Sequence, residues 1–281
     1  MDKFDQKIEK LLKLRHPKIA FGLDKPDELI LTSLRKSHKY ADINIVGPKK
    51  ISSIKGFKLN ISNNPEKKLV EMLVNGEVEG MVRGTIDDFK TYEVYRKLTG
   101  ENTLANPVLM QLPNKNKIFI AFVSNPEAWT KEDRFSKALI TANMMIGFNI
   151  KPRICVLSGV RHDTYKRKRN IKSGIVAKLN KTYSDAQWIV KKLNKERLIV
   201  KNWSIDSNIA IEEGYNLLIP PNGMVGNQMF RMILASGGKL LIGTKLGLSH
   251  YYEDNSRTEK DFEFHIKWLV AMINQKKNGR L

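Results

Sequence analysis

The chain has 281 residues, 41% of them hydrophobic and 28% charged, with a net charge of +20 and a single cysteine. That length supports one large domain or two medium ones with a substantial core, and one cysteine excludes an internal disulfide framework and an all-thiolate zinc site. A charge this positive admits three classes of partner: nucleic acid, an acidic protein, or a phosphorylated ligand.

The elements follow from pattern and punctuation. Asp2 is placed to cap a first helix, with Ile8, Leu11 and Leu12 at helical spacing. Lys18–Leu23 reads as a strand, and Lys25-Pro26 opens a helix through Leu31 and Leu34. Ala41–Val46 is a second strand, ending at Gly47-Pro48. Asn64-Pro65 suits the cap and first turn of a helix carrying Leu69, Val70, Leu73 and Val74, which stops near Gly76. Glu79–Arg83 is a strand ending at Gly84-Thr85, and Asp88–Leu98 a helix. This β–α–β alternation implies parallel strands with right-handed crossovers.

Near residue 105 the pattern changes. Pro107–Leu112 and Lys117–Val123 flank Pro113-Asn114-Lys115-Asn116 and read as a hairpin opening a second sheet. Thr130 with Asp133 forms a capping box for a helix whose apolar face is Phe135, Ala138, Leu139, Ala142 and Ile146, closed by Gly147. Ile154–Leu157 is a continuous apolar run, as in a strand buried on both faces, and Cys155 within it is a packing residue. Ser158-Gly159 ends the run, and a loop then carries Arg161, His162, Asp163 and Thr164. Ser184 with Gln187 caps a helix presenting Trp188, Ile189 and Leu193. Leu198–Lys201, Asn216–Pro220 and Lys239–Gly243 are strands, with helices over Ile205–Glu213 and Gly226–Ala235. Thr258 with Asp261 caps a last helix carrying Phe262, Ile266, Leu269 and Ile273. An outward Trp268 on that helix would mark a dimer or partner face.

Several function classes find no support. The first eighteen residues lack the apolar core of a signal peptide, and no run approaches the roughly 18 apolar residues of a membrane span, so the expected location is the cytoplasm. The lysines are dispersed, the one dense basic run is Lys166–Arg169, and no zinc finger, RNA-binding aromatic signature or basic zipper accompanies it. Nucleic acid is therefore disfavoured. There is no G-x-x-x-x-G-K-[ST], no G-x-G-x-x-G after a strand and no G-x-S-x-G elbow. His16, His38, His162, His250 and His265 form no pair at metal-ligand spacing.

What remains is a set of polar strand-end loops: Gly84-Thr85 with Asp87-Asp88, Ser158–Thr164, Asn222–Asn227, and Asn255-Ser256-Arg257. Glycine turns and helix starts bind anions through backbone amides, and an arginine adds charge-assisted bonds. Local sequence alone also fits a plainer reading, with Ser256 in a turn and Arg257 solvated.

Taken in order, Gly80-Met81-Val82-Arg83-Gly84-Thr85, Asn125-Pro126, Phe148–Ser158, Leu217–Asn227, Ile242–Leu248 and Ser256-Arg257 resemble segments of the phosphate acetyl- and butyryltransferase family. Those segments are G-L-V-x-G-A, N-P, F-G-I-x-P-R-V-x-x-L-S, a strand then F-P-x-x-N-A-G-N, I-G-P-x-x-x-G-L and D-L-S-R-G. The similarity runs from about residue 18 to 273. A nearer resemblance is to the archaeal family called methanogenesis marker protein 4, the Mtx subunit X group, whose name carries the word methyltransferase.

The resemblance implies an α/β fold of two three-layer domains flanking a cleft, of the phosphotransacetylase or isocitrate dehydrogenase kind. Residues 1–104 with 251–281 would form the first domain and 105–250 the second. It implies catalytic roles for Ser256, Arg257 and Asp261. It implies a ligand site from Gly84, Thr85, Ser158, Arg161, His162, Thr164, Asn222, Gly226 and Asn227. The expected ligand is a phosphorylated or otherwise anionic small molecule of unspecified identity, and the expected partners are methyltransferase subunits or a second copy of the chain. The corrinoid motif D-x-H-x-x-G is absent, so a methyl group would come from a separate corrinoid- or pterin-carrying subunit. Two alternatives stand beside this reading: acyl transfer between coenzyme A and phosphate, and a ligand-binding or assembly protein without catalysis. The sequence also departs from the acetyltransferases. Their Ser/Thr/Gly-rich loop after L-S is here Gly159-Val160-Arg161-His162-Asp163-Thr164, and their histidine and paired threonines after G-A become Ile86-Asp87-Asp88-Phe89.

Overall fold

A computed structural model describes residues 3–124 and 128–277; the expected Asp2 cap and the Asn125-Pro126 pair lie outside the described residues. The chain begins α1 (Lys3–Leu12), β1 (Lys18–Gly22), α2 (Glu28–Ser37), β2 (Asp42–Gly47), β3 (Lys58–Ile61), α3 (Pro65–Val74), β4 (Gly80–Val82) and α4 (Asp88–Thr99). It continues β5 (Val108–Gln111), β6 (Lys117–Ile120), α5 (Lys131–Gly147), β7 (Arg153–Leu157), α6 (His162–Lys168), α7 (Gly174–Lys195) and β8 (Ile199–Ser204). It closes α8 (Ser207–Glu212), β9 (Leu217–Ile219), α9 (Gly223–Ala235), β10 (Lys239–Lys245), β11 (Tyr251–Glu253) and α10 (Glu263–Lys277). Two compact units result, Met1–Thr103 with Leu241–Leu281, and Leu104–Leu240.

In the first unit the strands run β3-β2-β1-β4-β11-β10. Neighbours from β3 to β11 are parallel, and β10 is antiparallel to β11. Alternation along the strands sorts the two faces. Met81 and Tyr252 join Leu69, Leu73 and Tyr95 under α3 and α4. Gly80 faces Leu269 and Ile273 of α10, so close that an added Cβ would lie 3.0 Å from each. Helices α1 and α2 pack on α10, which completes three layers.

In the second unit the order is β5-β6-β9-β7-β8, with β5–β6 the antiparallel hairpin and the rest parallel. Helices α5 and α7 cover one face. On the other, Ile118, Ile120, Cys155, Leu157 and Leu218 pack with Ala210 of α8 and Phe230 of α9. Burial pushes the Cys155 thiol up, so it stays a packing residue.

Several expectations need correction. The second helix is capped by Asp27, which accepts from Leu29 N and Ile30 N, rather than opened by Lys25-Pro26. Strands β3 and β11 are short and β3 is polar at its edge, so neither carries a long apolar run. The Arg161–Thr164 loop is the start of a short helix, α6, with no buried residue. Ser184 and Gln187 lie inside α7; the serine hydroxyl donates back to Asn180 O at 3.2 Å and the glutamine to Tyr183 Oη at 3.0 Å. At α5 the Thr130 hydroxyl accepts from Asp133 N at 3.0 Å, but the Asp133 carboxylate takes Ala128 N at 2.6 Å instead of closing the box. The buried stripe of α5 is also rotated, including Arg134, Lys137 and Thr141 while Ile146 is exposed. Helix α10 starts at Glu263, whose amide donates to Asp261 Oδ1 at 3.1 Å, and not at a Thr258 cap. Trp268 is fully buried, so it marks no outward partner face.

Candidate functional site

Ligands of open α/β sheets sit beyond the carboxyl ends of strands. In the first unit β4 and β11 are parallel neighbours, with Met81 beside Tyr252 and Val82 beside Glu253. Their continuations therefore emerge side by side, Arg83-Gly84-Thr85 next to Asp254-Asn255-Ser256-Arg257.

Arg83 joins the two. It is 1% exposed, and its guanidinium donates to Asp254 Oδ1 at 2.6 Å, Gly84 O at 2.9 Å and Ile86 O at 3.0 Å, and to Asn255 O. The planar fork of five donors is what allows one side chain to hold four acceptors. Asn255 completes the seam: Oδ1 accepts from Gly84 N at 3.0 Å, and Nδ2 donates to Gly84 O at 2.9 Å and Ser256 O at 2.8 Å. Gly84 has φ +64°, and a Cβ there would lie 2.0 Å from Gly22 O, so no side chain fits.

Lys245, from the end of β10, reaches Asp254 Oδ2 at 3.0 Å and lies over the rings of Tyr92 and Tyr252 at 4.8 and 5.2 Å. Asp88, at the start of α4, brings Oδ1 to 3.9 Å from both Arg83 Nε and Lys245 Nζ. Two cations and two carboxylates thus share one locus, in which Arg83 is buried, Lys245 nearly so and Asp88 half-exposed. Burial works against charge on Asp254, but Lys245 and Arg83 outweigh it and hold that carboxyl far below the usual range. Burial, then the like charge of Asp254, pushes Asp88 up, and the same two cations only partly offset this. On the opposite sheet face Glu253 and His265 are both fully buried and paired at 2.7 Å.

The expected residues of this unit now have addresses. Ser256 is 8% exposed, with Oγ 3.1 Å from Thr258 Oγ1, while Arg257 is exposed. The amides of Gly84 and Thr85 are used within the protein, by Asn255 and by Gly22 O. The Thr85 hydroxyl accepts from Asp24 N at 2.9 Å and keeps its own hydrogen to donate. Asp261 is exposed, accepting from Ser33 Oγ and Glu263 N at 3.1 Å each, which is a helix-start role. Arg257 is thus exposed and Asp88 half-exposed on segments that leave these neighbouring strand ends.

In the second unit β7 and β9 are parallel neighbours, and their ends carry the Ser158 and Asn222 loops. The Ser158 hydroxyl donates to Val160 O at 3.0 Å. Arg161 is exposed and pairs with Asp206 at 3.3 Å; His162 Nδ1 meets Tyr183 Oη; Thr164 is half-buried. Asn222 caps α9 by accepting from Val225 N at 2.9 Å, and Asn227 donates to Val123 O at 2.8 Å. A Cβ on Gly226 would lie 2.3 Å from Phe122 O, so the glycine is what lets α9 approach the end of β6. Beneath these loops Arg134, 2% exposed, donates to Leu157 O at 2.8 Å and Pro220 O at 3.0 Å. Burial lowers its guanidinium to about 10.

Arg83, Lys245, Asp254, Asn255 and Arg134 are the residues that sequence reasoning missed as organisers. Arg83, Lys245 and Asn255 lie in segments the sequence singles out, but nothing local marks the partners they hold. Among the described residues no group of three or more His, Cys, Asp or Glu is arranged to hold a metal ion, and no helix is long and apolar enough to cross a membrane.

The chain matches no protein-family model. It is 26% identical over 265 residues to a protein of Methanosarcina barkeri named "Putative methyltransferase mtx subunit X", covering 92% of this chain and 94% of that one. A protein of the same name from Methanosarcina mazei is 26% identical over 278 residues, covering 97% and 96%. Among solved structures, a branched-chain phosphotransacylase from Enterococcus faecalis superposes with a TM-score of 0.65 at 13% identity, over 92% of this chain and 99% of that one. A 4-hydroxythreonine-4-phosphate dehydrogenase from Klebsiella pneumoniae gives 0.56 at 10% identity, over 93% and 97%. The fold is that of the phosphotransacetylases, and the relatives are the methyltransferase-named proteins of methanogens.

Proposed function

We propose that this protein is a group-transfer subunit of the methyltransferase kind its relatives are named for, and that it takes an anionic, phosphorylated small molecule at the strand ends of its first unit. The observation that carries the reading is the seam between β4 and β11. Arg83 and Asn255 spend their bonding capacity holding the Ser256-Arg257 and Gly84-Thr85 loops together, and Arg257 on that seam is exposed. Catalysis there would be positioning and electrostatic stabilisation of a transferring anionic group. Arg161 and His162, beyond β7, are polar side chains at a strand end of the second unit. The methyl carrier would belong to another subunit, so purification from the native cell is expected to bring methyltransferase subunits with the chain; their absence would count against this part.

The test is a thermal-shift panel of inorganic phosphate, coenzyme A, S-adenosylmethionine and methanogenic cofactors. A ligand at a hundredfold excess over its dissociation constant stabilises by about 2.7 kcal/mol. Arg257→Ala is expected to abolish that shift while leaving the unliganded Tm unchanged. If no compound stabilises the wild type, the anion-site reading is wrong.

Acyl transfer between coenzyme A and phosphate is a second reading, favoured by the phosphotransacetylase fold and by the Ser256-Arg257 pair. Assay with acetyl- and butyryl-coenzyme A plus phosphate separates the two, and turnover no faster than background removes it.

A further inference from the structure

We infer that Asp88 is the proton-handling carboxyl of this strand-end site, taking up one proton from solvent when an anion binds there. The inference rests on the anion-site reading above and adds to it a carboxyl that the reading does not use.

Charge balance at this partly buried locus supports the assignment. The groups facing one another are Arg83 from β4, Lys245 from β10, Asp254 and Tyr252 from β11, and Asp88 and Tyr92 from α4. With both carboxylates ionised and both tyrosines neutral these groups sum to zero, and the exposed Arg257 guanidinium offered to the ligand gives the site one net positive charge. A bound dianion such as sulfate would then leave one excess negative charge beside these partly buried groups, which is costly. Protonating one carboxylate restores the balance.

Geometry selects which one. Asp254 is fully engaged: Oδ1 accepts from Arg83 Nε at 2.6 Å and Asn255 N at 2.8 Å, and Oδ2 from Lys245 Nζ at 3.0 Å. Asp88 Oδ1 is buried with no hydrogen-bond partner and stands 3.9 Å from each cation, beyond hydrogen-bond reach. Its side chain is 45% exposed, so a proton can reach it from water. Its neighbour Asp87 is committed to the helix start, accepting from Lys90 N at 2.9 Å. The upward push on Asp88 from burial and from Asp254 acts in the same sense.

The test is calorimetric titration with sulfate, which does not itself titrate between about pH 5 and 8, in buffers of different ionisation enthalpy. The wild type is expected to take up close to one proton per sulfate, with affinity rising by up to ~tenfold per pH unit as pH falls. Asp88→Asn, with Asp88→Thr as a second variant should the first fail to fold, is expected to bind sulfate at least as tightly, without proton uptake and without the pH slope. Asp87→Asn should behave as the wild type. Sulfate binding by the wild type with no proton uptake, or unchanged uptake in the Asp88 variants, overturns this inference alone. Loss of sulfate binding in both folded Asp88 variants also overturns it, since Asp88 would then be scaffold. No sulfate binding by the wild type overturns the anion-site reading together with it.

Discussion

At the scale of single residues the fold is held by charged side chains in places where apolar ones are the rule. Arg83 is 1% exposed and Arg134 2%, and both spend their donors on main-chain carbonyls at strand ends. Such groups are cheap only while fully partnered. Asp254 shows the dependence most clearly, because it neutralises both Arg83 and Lys245. Asp254→Asn would leave two buried cations facing an amide, and a loss of roughly 3–5 kcal/mol at pH 7 is expected from denaturant unfolding. The pH dependence carries the sign. A carboxyl whose pKa is depressed on folding contributes stability that is present above its unfolded value near ~4 and lost as pH falls through the folded value. The gap between wild type and variant should therefore shrink below about pH 4. A constant gap across that range would show that Asp254 is not held ionised by the two cations.

At the scale of elements, close approach decides more than propensity does. Gly226 sits inside α9, where alanine would favour the helix by about 1 kcal/mol. A Cβ there would lie 2.3 Å from Phe122 O, a backbone atom at the end of β6 that cannot swing away. Overpacking of that kind costs about 1–3 kcal/mol, so Gly226→Ala is expected to lower stability by roughly 1–2 kcal/mol in urea unfolding. A stabilised variant would mean that α9 can back away from the strand end at no cost. Most strands were legible because buried parallel strands read as unbroken apolar runs, as Ile154–Leu157 does. Helix starts were less legible. Asn64 caps α3 as its Asn-Pro pair suggests, but Ser184 and Gln187 carry the same local signature inside α7 and bond sideways and backwards. A capping box is a pattern of four residues, whereas the length of a helix is set by everything it packs against. Likewise α5 could not be phased from its apolar residues, since its buried stripe includes Arg134 and Lys137, whose burial depends on distant carbonyls.

At the scale of the whole molecule the dominant number is the net charge of +20. Self-repulsion of that size weakens a compact state and is screened by salt. Raising sodium chloride from about 10 to 150 mM should lift Tm by roughly 2–4 °C, on the order of 1 kcal/mol for a chain of this size. A flat response would mean that the ion pairs already offset the excess. The same charge draws anions, which agrees with a ligand read as phosphorylated. By itself the sequence determined the alternation of strands and helices, the hairpin at 113–116 and where the polar strand ends fall, because these depend on local periodicity and turn chemistry. Only the tertiary structure decided that the loops after β4 and β11 lie side by side, that Arg83 and Asn255 join them across about 170 residues of chain, and that Asp88 and Lys245 share their locus. Strand order is a long-range choice, and a buried charge is stable only where that choice places its partners. No window of sequence contains both halves of such a pair.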